Sequence, residues 1–499
     1  MTSCTPGARI IPGFKKWSPA TGSFRLPEVL GFRASGADAE AVAEAFAADL
    51  AELLVTTVCS ATQAPALEFV IDPEDQRFAH IPEHVRPEAY RLVVGEAIAL
   101  TAPTARGLYW GTRSLLQLLA ANPALTHGEA LDWPDYPVRG FVIDVGRRFS
   151  RPAFIRDLIR HMSWHKLNTL VIHLNDNEIT KDTGRPWNEA QHGFRLRSDS
   201  DDFAHLASTD GSYVRADWES FEDLAASQGV NIIPEIDAPA HARAFIVHHP
   251  ELGRNGGDSD MLDLTDSTAI NFMKGIFNEF LPWFRGPLVH FGADEYDREH
   301  PQDYRRYFNE IAAHLRACGK TPVAWGSLSV MSKGAGVSKS AGVSKSAGPE
   351  PPAGYDRDVI MCSWNNEWYG PLEATSDGYR IINTNDDLLY TVPYADYYCG
   401  TGLPLERLWN EWEPHIFGAG QELSKGHPQL LGAMSALWND LVLEDYTEQD
   451  MYTMVAPTFG LLGQKMWGGT PPGVTFSEFL EAQKALPQWP GKEFVRGGK

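Results

Sequence analysis

Short apolar runs alternate with helical patterns along the chain from Val138 onward. Eight of these runs predict β-strands, at residues 138–146, 168–176, 230–237, 287–295, 321–327, 358–365, 379–386 and 430–440. Segments with helical spacing lie between them, such as 153–167, 216–229 and 303–319. Eight strand–helix units over about 330 residues predict a (β/α)8 TIM barrel with insertions. A doubly wound sheet is the alternative, but the lack of a glycine-rich phosphate loop favours the barrel.

The first 135 residues have a different pattern, which predicts a small α+β layer. Two helical patterns and two alternating, strand-like patterns occupy residues 40–58, 107–122, 67–73 and 89–103, in that order. The stiff connector WPDYP follows at residues 133–137. We therefore predict an N-terminal non-catalytic α+β domain over residues 1–135 and a catalytic (β/α)8 barrel domain over residues 136–499.

One internal repeat interrupts the barrel pattern. The segment GVSKSAGVSKSAG at residues 336–348 is polar and of low complexity, and PEPPAG follows it. This composition is typical of a flexible surface loop. We place it between the fifth and sixth barrel strands and expect no chemistry from it.

The charge of the chain narrows the classes of partner. Its 499 residues include 43 Lys and Arg against 65 Asp and Glu, which gives a formal net charge of −22. This balance disfavours nucleic acid and anionic membranes as partners, because both are negatively charged. No run of 18 apolar residues is present, so no membrane-spanning helix is expected. An oligomeric state does not follow from these features.

The N-terminus and the cysteines bear on location. The first residues, MTSCTPGARIIPGFKKW, lack the apolar core of a secretory signal, which predicts a cytoplasmic protein. The alternative is a secreted protein whose signal has been removed. Five scattered cysteines fit reduced thiols better than a disulfide framework, and none has the spacing of a metal site.

Two adjacent acids end the fourth predicted barrel strand. The stretch HFGADEYD at residues 290–297 places Asp294 and Glu295 directly after an apolar run that ends in glycine. Two charges at the end of a buried strand cost desolvation free energy, which indicates a function for the pair.

Polar and aromatic side chains collect where the predicted strands end. The carboxyl ends of the strands form the active site of a (β/α)8 barrel, so these side chains are expected to lie close together. They are Arg147, Asp176, Asp237, His241, Asp294, Glu295, Trp325, Trp364, Tyr390, Trp438 and Asp440. Indole faces pack on the C–H faces of sugars, and carboxylates accept hydrogen bonds from sugar hydroxyls. The set is therefore typical of a carbohydrate site.

Several of these residues also have a purely structural interpretation. Arg147 fits an ordinary exposed residue, and His173 fits a packed core histidine. Asp176 and His241 fit a structural hydrogen-bonded pair. A metal site formed by His173, Asp176, His241 and Glu295 is a further alternative on a barrel hydrolase. Because the first barrel strand has no HxH pair and no known Cys/His ligand spacing occurs, we predict no metal and no other cofactor.

Five motifs together resemble family 20 of the glycoside hydrolases. They are VRGFVIDVGRRF, HLND, PEIDAPAH, HFGADE and the later tryptophans, in the family's order. Residues 1–135, with AYRLVVG and GLYWGTRSLLQLL, resemble the family's non-catalytic N-terminal domain. The resemblance implies a β-N-acetylhexosaminidase that removes terminal GlcNAc or GalNAc from an oligosaccharide or glycoconjugate.

The resemblance also implies a retaining, substrate-assisted mechanism. In this family the acetamido oxygen of the substrate attacks C1 and forms an oxazolinium-like intermediate. Glu295 would protonate the leaving oxygen and later activate water, so a raised pKa is expected for it. Asp294 would stay ionised and hold the acetamido N–H. For both acids to reach one sugar, the backbone must leave the strand at Gly292.

The remaining site residues are assigned by resemblance alone. Arg147 matches the arginine that binds the 3- and 4-hydroxyls of the sugar. Asp176 and His241 match a relay that tunes the acid/base, and Tyr390 matches the tyrosine that donates to the acetamido oxygen. The walls of the acetamido pocket match Trp325, Trp364 and Trp438.

The chain departs from the family pattern in the first sugar subsite. Ala293 and Ala240 replace glycines, and Asn177 replaces a second acid. Val392 stands where the family has the aspartate of a Tyr-Leu-Asp motif, and Asp440 is shorter than the more usual glutamate. The family aspartate helps to hold the outer hydroxyls of the terminal sugar, so the end wall of the subsite is expected to be altered.

This altered wall keeps other functions open. One alternative is a lacto-N-biosidase-like enzyme that releases a disaccharide from the non-reducing end, which Tyr296 after the acid pair also favours. Another is a catalytically inactive carbohydrate-binding protein, which the presence of Asp294, Glu295 and Tyr390 disfavours.

Overall fold

Two large β-sheets organise the chain, a mixed sheet in its N-terminal part and a closed parallel barrel after it, and a third sheet has only two strands. A computed structural model describes residues 10–54, 57–60, 66–122, 124–333, 354–442 and 446–494. The repeat at residues 336–348, predicted to be a surface loop, lies outside the described residues.

The strands fall into three sheets. They are β1 (Lys16–Arg25), β2 (Val29–Ala34), β3 (Thr57–Ser60), β4 (Leu67–Ile71), β5 (Tyr90–Val94), β6 (Ile98–Ala102), β7 (Ala124–Asp132), β8 (Val138–Asp144), β9 (Thr169–His173), β10 (Asn175–Asn177), β11 (His192–Phe194), β12 (Asn231–Ala238), β13 (Leu288–Gly292), β14 (Thr321–Trp325), β15 (Ile360–Ser363), β16 (Ile381–Asn383), β17 (Tyr390–Thr391) and β18 (Leu430–Leu437).

Helices surround the barrel and lie against the N-terminal sheet. They are α1 (Ala37–Leu54), α2 (Ala105–Ala121), α3 (Pro152–Trp164), α4 (Thr180–Thr183), α5 (Asp201–Ala204), α6 (Arg215–Ser227), α7 (Arg243–Ile246), α8 (Thr268–Phe280), α9 (Pro301–Ala317), α10 (Leu328–Lys333), α11 (Asn366–Tyr369), α12 (Pro371–Ser376), α13 (Asp386–Leu389), α14 (Leu405–Glu411), α15 (Glu448–Gly468) and α16 (Phe476–Ala485). Within the described part of the chain, none of them combines the length and apolarity that crossing a bilayer requires.

The barrel has the predicted eight parallel strands. Their order is β8, β9, β12, β13, β14, β15, β16 and β18, and pairing of β18 with β8 closes the circle. Nearly every residue of these strands is buried, because helices cover the outside and side chains fill the inside. The prediction of a (β/α)8 barrel is therefore confirmed. The observed strand ends differ from the predicted ones by up to three residues. The strand predicted over 168–176, for example, ends at His173, and β10 then pairs antiparallel with β11.

The N-terminal part is a seven-stranded mixed sheet in the order β1-β7-β5-β6-β4-β2-β3. The predicted α+β composition is confirmed, but the helix predicted over 40–58 ends at Leu54. Residues Thr57–Ser60 instead form β3, which pairs in parallel with β2. Thr57 and Val58 are β-branched and favour a strand over a helix end.

A buried polar network joins the two parts of the chain. Arg139 of β8 pairs with Glu88 at 2.5 Å, and both side chains are buried. Nζ of Lys166 donates to the hydroxyl of Tyr90 at 2.8 Å, and that hydroxyl donates to Asp132 at 2.6 Å. The N-terminal part, through Glu88 before β5 and Asp132 of β7, thus supplies the counter-charges for two cations of the barrel part, whose burial without partners would be unfavourable.

Candidate active site

A cavity of about 600 Å³ opens at the carboxyl ends of the barrel strands, and we call it the catalytic cavity. It brings together all ten residues for which the sequence predicts a catalytic or substrate-binding role. They are Arg147, Asp176, His241, Asp294, Glu295, Trp325, Trp364, Tyr390, Trp438 and Asp440. Residues that are 293 positions apart in the chain therefore meet in one place, as the barrel requires.

The turn after β13 directs both adjacent acids into the catalytic cavity. β13 ends at Gly292, whose φ is +70°, and Ala293 and Glu295 also have positive φ values of 71° and 46°. The hydroxyl of Tyr304 donates to the carbonyl of Ala293 at 2.5 Å and holds this strained turn. The predicted departure from the strand at Gly292 is confirmed.

A chain of short contacts links the acids to Asp176. Nδ1 of His241 lies 2.9 Å from Oδ1 of Asp176. Nε2 of the same imidazole lies 3.4 Å from Oε2 of Glu295 and 3.7 Å from Oδ2 of Asp294. Burial opposes the charged form of His241, but Asp176 and Asp294 raise its pKa well above the usual value. One imidazolium therefore serves both acids.

The chain of contacts continues into the barrel through His173, which the sequence suggested to be a packed core histidine. Its Nε2 lies 2.8 Å from Oδ2 of Asp176, and its Nδ1 lies 3.0 Å from Oε2 of Glu235. The indole nitrogen of Trp325 donates to the other oxygen of Glu235 at 2.5 Å. His173 is indeed buried, but it also lines the catalytic cavity and connects Asp176 to Glu235.

Arg147 is a buried residue, so its interpretation as an ordinary surface residue is wrong. Its guanidinium contacts Asp176 at 2.8 Å, Asp144 at 3.0 Å and Asp440 at 3.4 Å. Burial lowers the pKa of Arg147, but these carboxylates raise it above its usual value. These contacts hold the Arg147 guanidinium, a charged group with several N–H donors, at one end of the cavity.

The pKa values of the two acids are opposite to the expectation. Burial raises the pKa of Asp294 to about 6, although the charge of His241 opposes this shift. Burial is the largest influence on Glu295 and raises its pKa, but the contact with His241 and the charges of His241 and Arg147 together outweigh burial, so the net shift of the pKa is downward. The Glu295 side chain is 46% exposed against 15% for Asp294, because the cavity is open on the Glu295 side.

Four aromatic rings form the apolar part of the cavity wall. Trp438 lies between its neighbours, with ring centroids 5.6 Å from Trp325 and 5.6 Å from Tyr390. Trp364 belongs to the same buried cluster. Burial raises the pKa of Tyr390 well above its usual value, so its hydroxyl keeps the proton it would donate.

The structure adds cavity residues that the sequence interpretation missed. The hydroxyl of Tyr397 donates to Oδ2 of Asp440 at 3.1 Å, and Lys181, Asp387 and Tyr398 also line the cavity. Two of them lie in the tyrosine-rich stretch YADYYC at residues 394–399, which could have drawn attention because aromatic side chains recur there without helical or strand spacing. Val392, which replaces the family aspartate, is fully buried.

Carboxylates and imidazoles also gather in ways that a metal ion could use. Among the described residues, three groups bring one donor atom from each member within 4.8 Å of one another, and two of them lie at the catalytic cavity. These two are His173 with Glu235 and Asp237, and His241 with Asp237 and Asp294. The four-residue set suggested by the sequence is not one of these groups, and the predicted independence of metal stays a prediction.

The family assignment follows from comparison with family models. The model described as "Glycosyl hydrolase family 20, catalytic domain" matches residues 136–470, and "Glycosyl hydrolase family 20, domain 2" matches residues 7–133. The chain belongs to glycosyl hydrolase family 20. The resemblance drawn from the sequence motifs is therefore confirmed.

Other members of family 20 are similar over much of the chain. A lacto-N-biosidase of Bifidobacterium bifidum is 23% identical over 94% of this chain and 40% of its own length. A beta-hexosaminidase of Akkermansia muciniphila is 28% identical over 48% of this chain and 55% of its own length. This chain thus spans about half the length of these curated relatives.

Solved structures of the family share the fold. The N-acetyl-beta-hexosaminidase of Streptomyces plicatus, in complex with Thio-NAglucal, has a TM-score of 0.74 and 20% identity, with 97% of this chain and 98% of that chain covered. The β-N-acetylhexosaminidase of Streptomyces coelicolor A3(2) has a TM-score of 0.74 and 21% identity, with 96% of both chains covered. At these identities the likeness establishes the two-part architecture.

Proposed function

We propose that this family 20 member is a retaining β-N-acetylhexosaminidase that removes terminal GlcNAc or GalNAc from β-glycosides. The observation that carries the proposal is the placement of Asp294 and Glu295. Both carboxylates lie within 3.7 Å of the same imidazole and both line one cavity with Tyr390. Membership of the family and its beta-hexosaminidase relatives support the same activity.

In the first step, the substrate supplies its own nucleophile. The acetamido carbonyl oxygen forms a bond to C1 while the bond from C1 to the glycosidic oxygen breaks, and Glu295 gives its proton to that oxygen. Asp294 accepts the acetamido N–H and balances the positive charge of the oxazolinium ring. An intramolecular nucleophile needs no further ordering, which lowers the entropic part of the barrier.

In the second step, water completes the reaction with retention. Glu295, now a carboxylate, takes a proton from water as the water oxygen binds C1 and the bond from C1 to the acetamido oxygen breaks. Because the pKa of Glu295 is lowered, this carboxylate must gain a proton when substrate binds. A bound sugar removes solvent from this open side, which raises the pKa in the required direction.

The other cavity residues hold the sugar. Arg147 is proposed to donate to the 3- and 4-hydroxyls, and Asp440 to accept from an outer hydroxyl. Tyr390 is proposed to donate to the acetamido oxygen. Asp176 and His241 orient and tune Glu295. The aromatic walls around the acetamido group are Trp325, Trp364 and Trp438.

We also propose the domain roles predicted from the sequence. Residues 1–135 would be non-catalytic and residues 136–499 catalytic. The first residue in chain order that lines the catalytic cavity is Arg147, so the cavity is lined entirely from the barrel part.

Release of a disaccharide is a second candidate, favoured by one specific observation. Val392 is fully buried and does not line the catalytic cavity, whereas Tyr397, which donates to Asp440, lines it together with Lys181 and Tyr398. A site for a single terminal sugar does not need these residues. The lacto-N-biosidase that covers 94% of the chain supports the same candidate.

Turnover of three substrates tests these proposals. Nitrophenyl β-GlcNAc, nitrophenyl β-GalNAc and nitrophenyl β-lacto-N-bioside would be compared, with the Glu295→Gln variant as control. Release of nitrophenol from the first two supports the hexosaminidase, and release from the third alone supports the disaccharide-releasing enzyme. Binding of these sugars without turnover by the wild-type protein would leave the inactive carbohydrate-binding protein as the remaining interpretation.

A further inference from the structure

A second cavity, of about 570 Å³, adjoins the catalytic cavity, and we call it the outer cavity. Glu295 and His241 line both cavities. The two spaces therefore meet at the proposed general acid. Arg147 and Tyr390 line the catalytic cavity but not the outer one, so they mark its far side.

The position of Glu295 determines what the outer cavity faces. A general acid must lie within hydrogen-bond reach of the oxygen that it protonates, and that oxygen joins the terminal sugar to the leaving group. If the terminal sugar occupies the catalytic cavity, the leaving group extends past Glu295 into the outer cavity. This step rests on the proposed function.

An indole forms one wall of the outer cavity. The ring of Trp368 lies 5.9 Å from that of Trp364, at an interplanar angle of 33°, so an aromatic surface runs from one cavity into the other. The guanidinium of Arg298 lies 4.9 Å from the Trp368 centroid and brings N–H donors beside it. Such a ring with adjacent donors suits the C–H face and hydroxyls of a sugar.

Hydrogen bonds hold the backbone that carries Trp368. Trp368 lies on α11, and Oδ1 of Asn365 accepts from its backbone N–H at 3.2 Å. Nδ2 of Asn365 donates to Asp386 at 2.6 Å, and Asp386 also accepts from the hydroxyl of Tyr398 at 3.2 Å. A platform held in this way loses little conformational freedom on binding.

The rest of the lining carries an excess of carboxylates. Asp260, Asp297 and Glu299 line the outer cavity, and Asp297 also forms an ion pair with Arg254. Tyr296 belongs to this part of the lining, and its hydroxyl donates to the carbonyl of Leu262 at 2.8 Å. Tyr296 therefore lines the outer cavity and does not line the catalytic cavity.

We propose that the outer cavity is a leaving-group subsite for an uncharged sugar. The ring of that sugar stacks on Trp368, and its hydroxyls bind the carboxylates and Arg298. The same carboxylates disfavour leaving sugars that carry a carboxylate or sulfate, because like charges placed together in a partly desolvated site repel each other.

Substrates that differ in the leaving group test the stacking. The rate constant kcat/KM would be measured for GlcNAc β-linked to a neutral hexose and for β-GlcNAc fluoride, whose leaving group is too small to reach Trp368. Trp368→Ala is expected to lower kcat/KM for the disaccharide about 10-fold or more relative to the fluoride, the loss expected for one aromatic contact.

The chain offers a matched control in Trp187, which lies under Arg243 at 4.2 Å and outside both cavities. Trp187→Ala removes the same kind of Arg–indole contact and is expected to leave the ratio of the two substrates unchanged. An equal ratio in wild type and Trp368→Ala would overturn the subsite. No turnover of the fluoride by the wild-type protein would instead refute the proposed function.

Charge selection is tested with GlcNAc β-linked to a uronic acid. The wild-type protein is expected to prefer the neutral disaccharide, and the double variant Asp260→Asn/Glu299→Gln is expected to reduce that preference by about 3-fold or more. A wild-type protein without this preference, or a preference that the double variant leaves intact, would overturn the role of the carboxylates.

Discussion

A Cβ atom on Gly292 would lie 1.5 Å from Oδ1 of Asp237, so the end of β13 and the end of β12 fit together only with glycine at this position. The carboxyl group of Asp237 is buried, and Gly292 has a φ of +70°. The turn that carries Asp294 and Glu295 therefore rests on Asp237.

Substitution Gly292→Ala is expected to displace Asp237 and the turn, and to lower kcat/KM by 10-fold or more. Gly319→Ala is the control, because Gly319 has a φ of +78° and a Cβ atom there would meet no heavy atom within 4 Å. Both variants pay roughly 1–2 kcal/mol for the left-handed backbone, which unfolding by urea would measure. Equal activity of the two variants would contradict the structural role of Asp237.

Inhibition by a GlcNAc thiazoline tests the substrate-assisted mechanism. The compound copies the cyclic intermediate, and ligands of this kind bind roughly 10²-fold or more tighter than substrates. Asp294→Asn is expected to weaken thiazoline binding by roughly 10- to 100-fold, because a charge-assisted hydrogen bond contributes about 1.5–3 kcal/mol. Inhibition constants measured for both proteins check this. A covalent adduct on Asp294 formed by a fluorosugar would instead make the protein the nucleophile.

The acidic limb of the pH profile is expected to report Asp294. Its pKa is about 6, and the proposed mechanism needs the carboxylate, so kcat/KM should fall as the pH drops through this value. The charge of His241 lowers the pKa of Asp294. His241→Ala is therefore expected to move the acidic limb to higher pH, measured on a nitrophenyl glycoside. The half-buried His314 of α9, which contacts Asn278 away from the cavity, provides a control in His314→Ala. An acidic limb that stays in place in His241→Ala contradicts the assignment.

The free energy of unfolding is expected to depend on pH through Lys166, which is buried where the two parts of the chain meet. Burial lowers the pKa of this lysine to about 8, from an unfolded value near 10.5. Below pH 8 both states hold the proton and the cost of burying the charge is fully present. Between pH 8 and 10.5 the folded protein releases the proton first, so stability from this group rises with pH by up to about 3 kcal/mol.

Substitution Lys166→Met should remove this dependence. Asp132 keeps its hydrogen bonds from Tyr90 and from the indole of Trp467, so the variant leaves it partnered. The free energy of unfolding of the variant minus that of the wild-type protein is expected to be larger at pH 7 than at pH 9.5. Urea unfolding of both proteins at both pH values measures this difference. Lys484→Met on the surface serves as the control. A stability difference that is the same at both pH values contradicts the prediction.

The strands that could be predicted from the sequence are those that are buried on both faces. β8, β9 and β12 are buried on both faces, so their apolar runs are continuous and easy to recognise. The edge strand β1 is exposed along most of its length and gives no such pattern, and it was not predicted. The turn at Gly292 could be predicted because two adjacent acids cannot otherwise share a face.

The site residues that lie in sequence motifs could be predicted, whereas the contacts and pKa values that depend on tertiary packing could not. Tyr397 reaches Asp440 from a loop whose course depends on the whole barrel rim, and periodicity carries no information on this contact. The pKa values of Asp294 and Glu295 depend on which acid is more exposed and which lies nearer to His241. Neither quantity is local in the sequence, so the expected order was reversed.

Two buried ion pairs, Arg139 with Glu88 and Lys166 with Asp132, join the barrel to the N-terminal part of the chain. A protein that began at residue 136 would hold a guanidinium and an ammonium group facing a surface that has lost its carboxylates, and Trp467 would lose its cover. Residues 136–499 therefore depend on the preceding residues for the charge partners of Arg139 and Lys166. A chimaera in which residues 1–135 come from a relative must keep these four positions matched, because otherwise buried charges would lose their partners at the contact between the two parts.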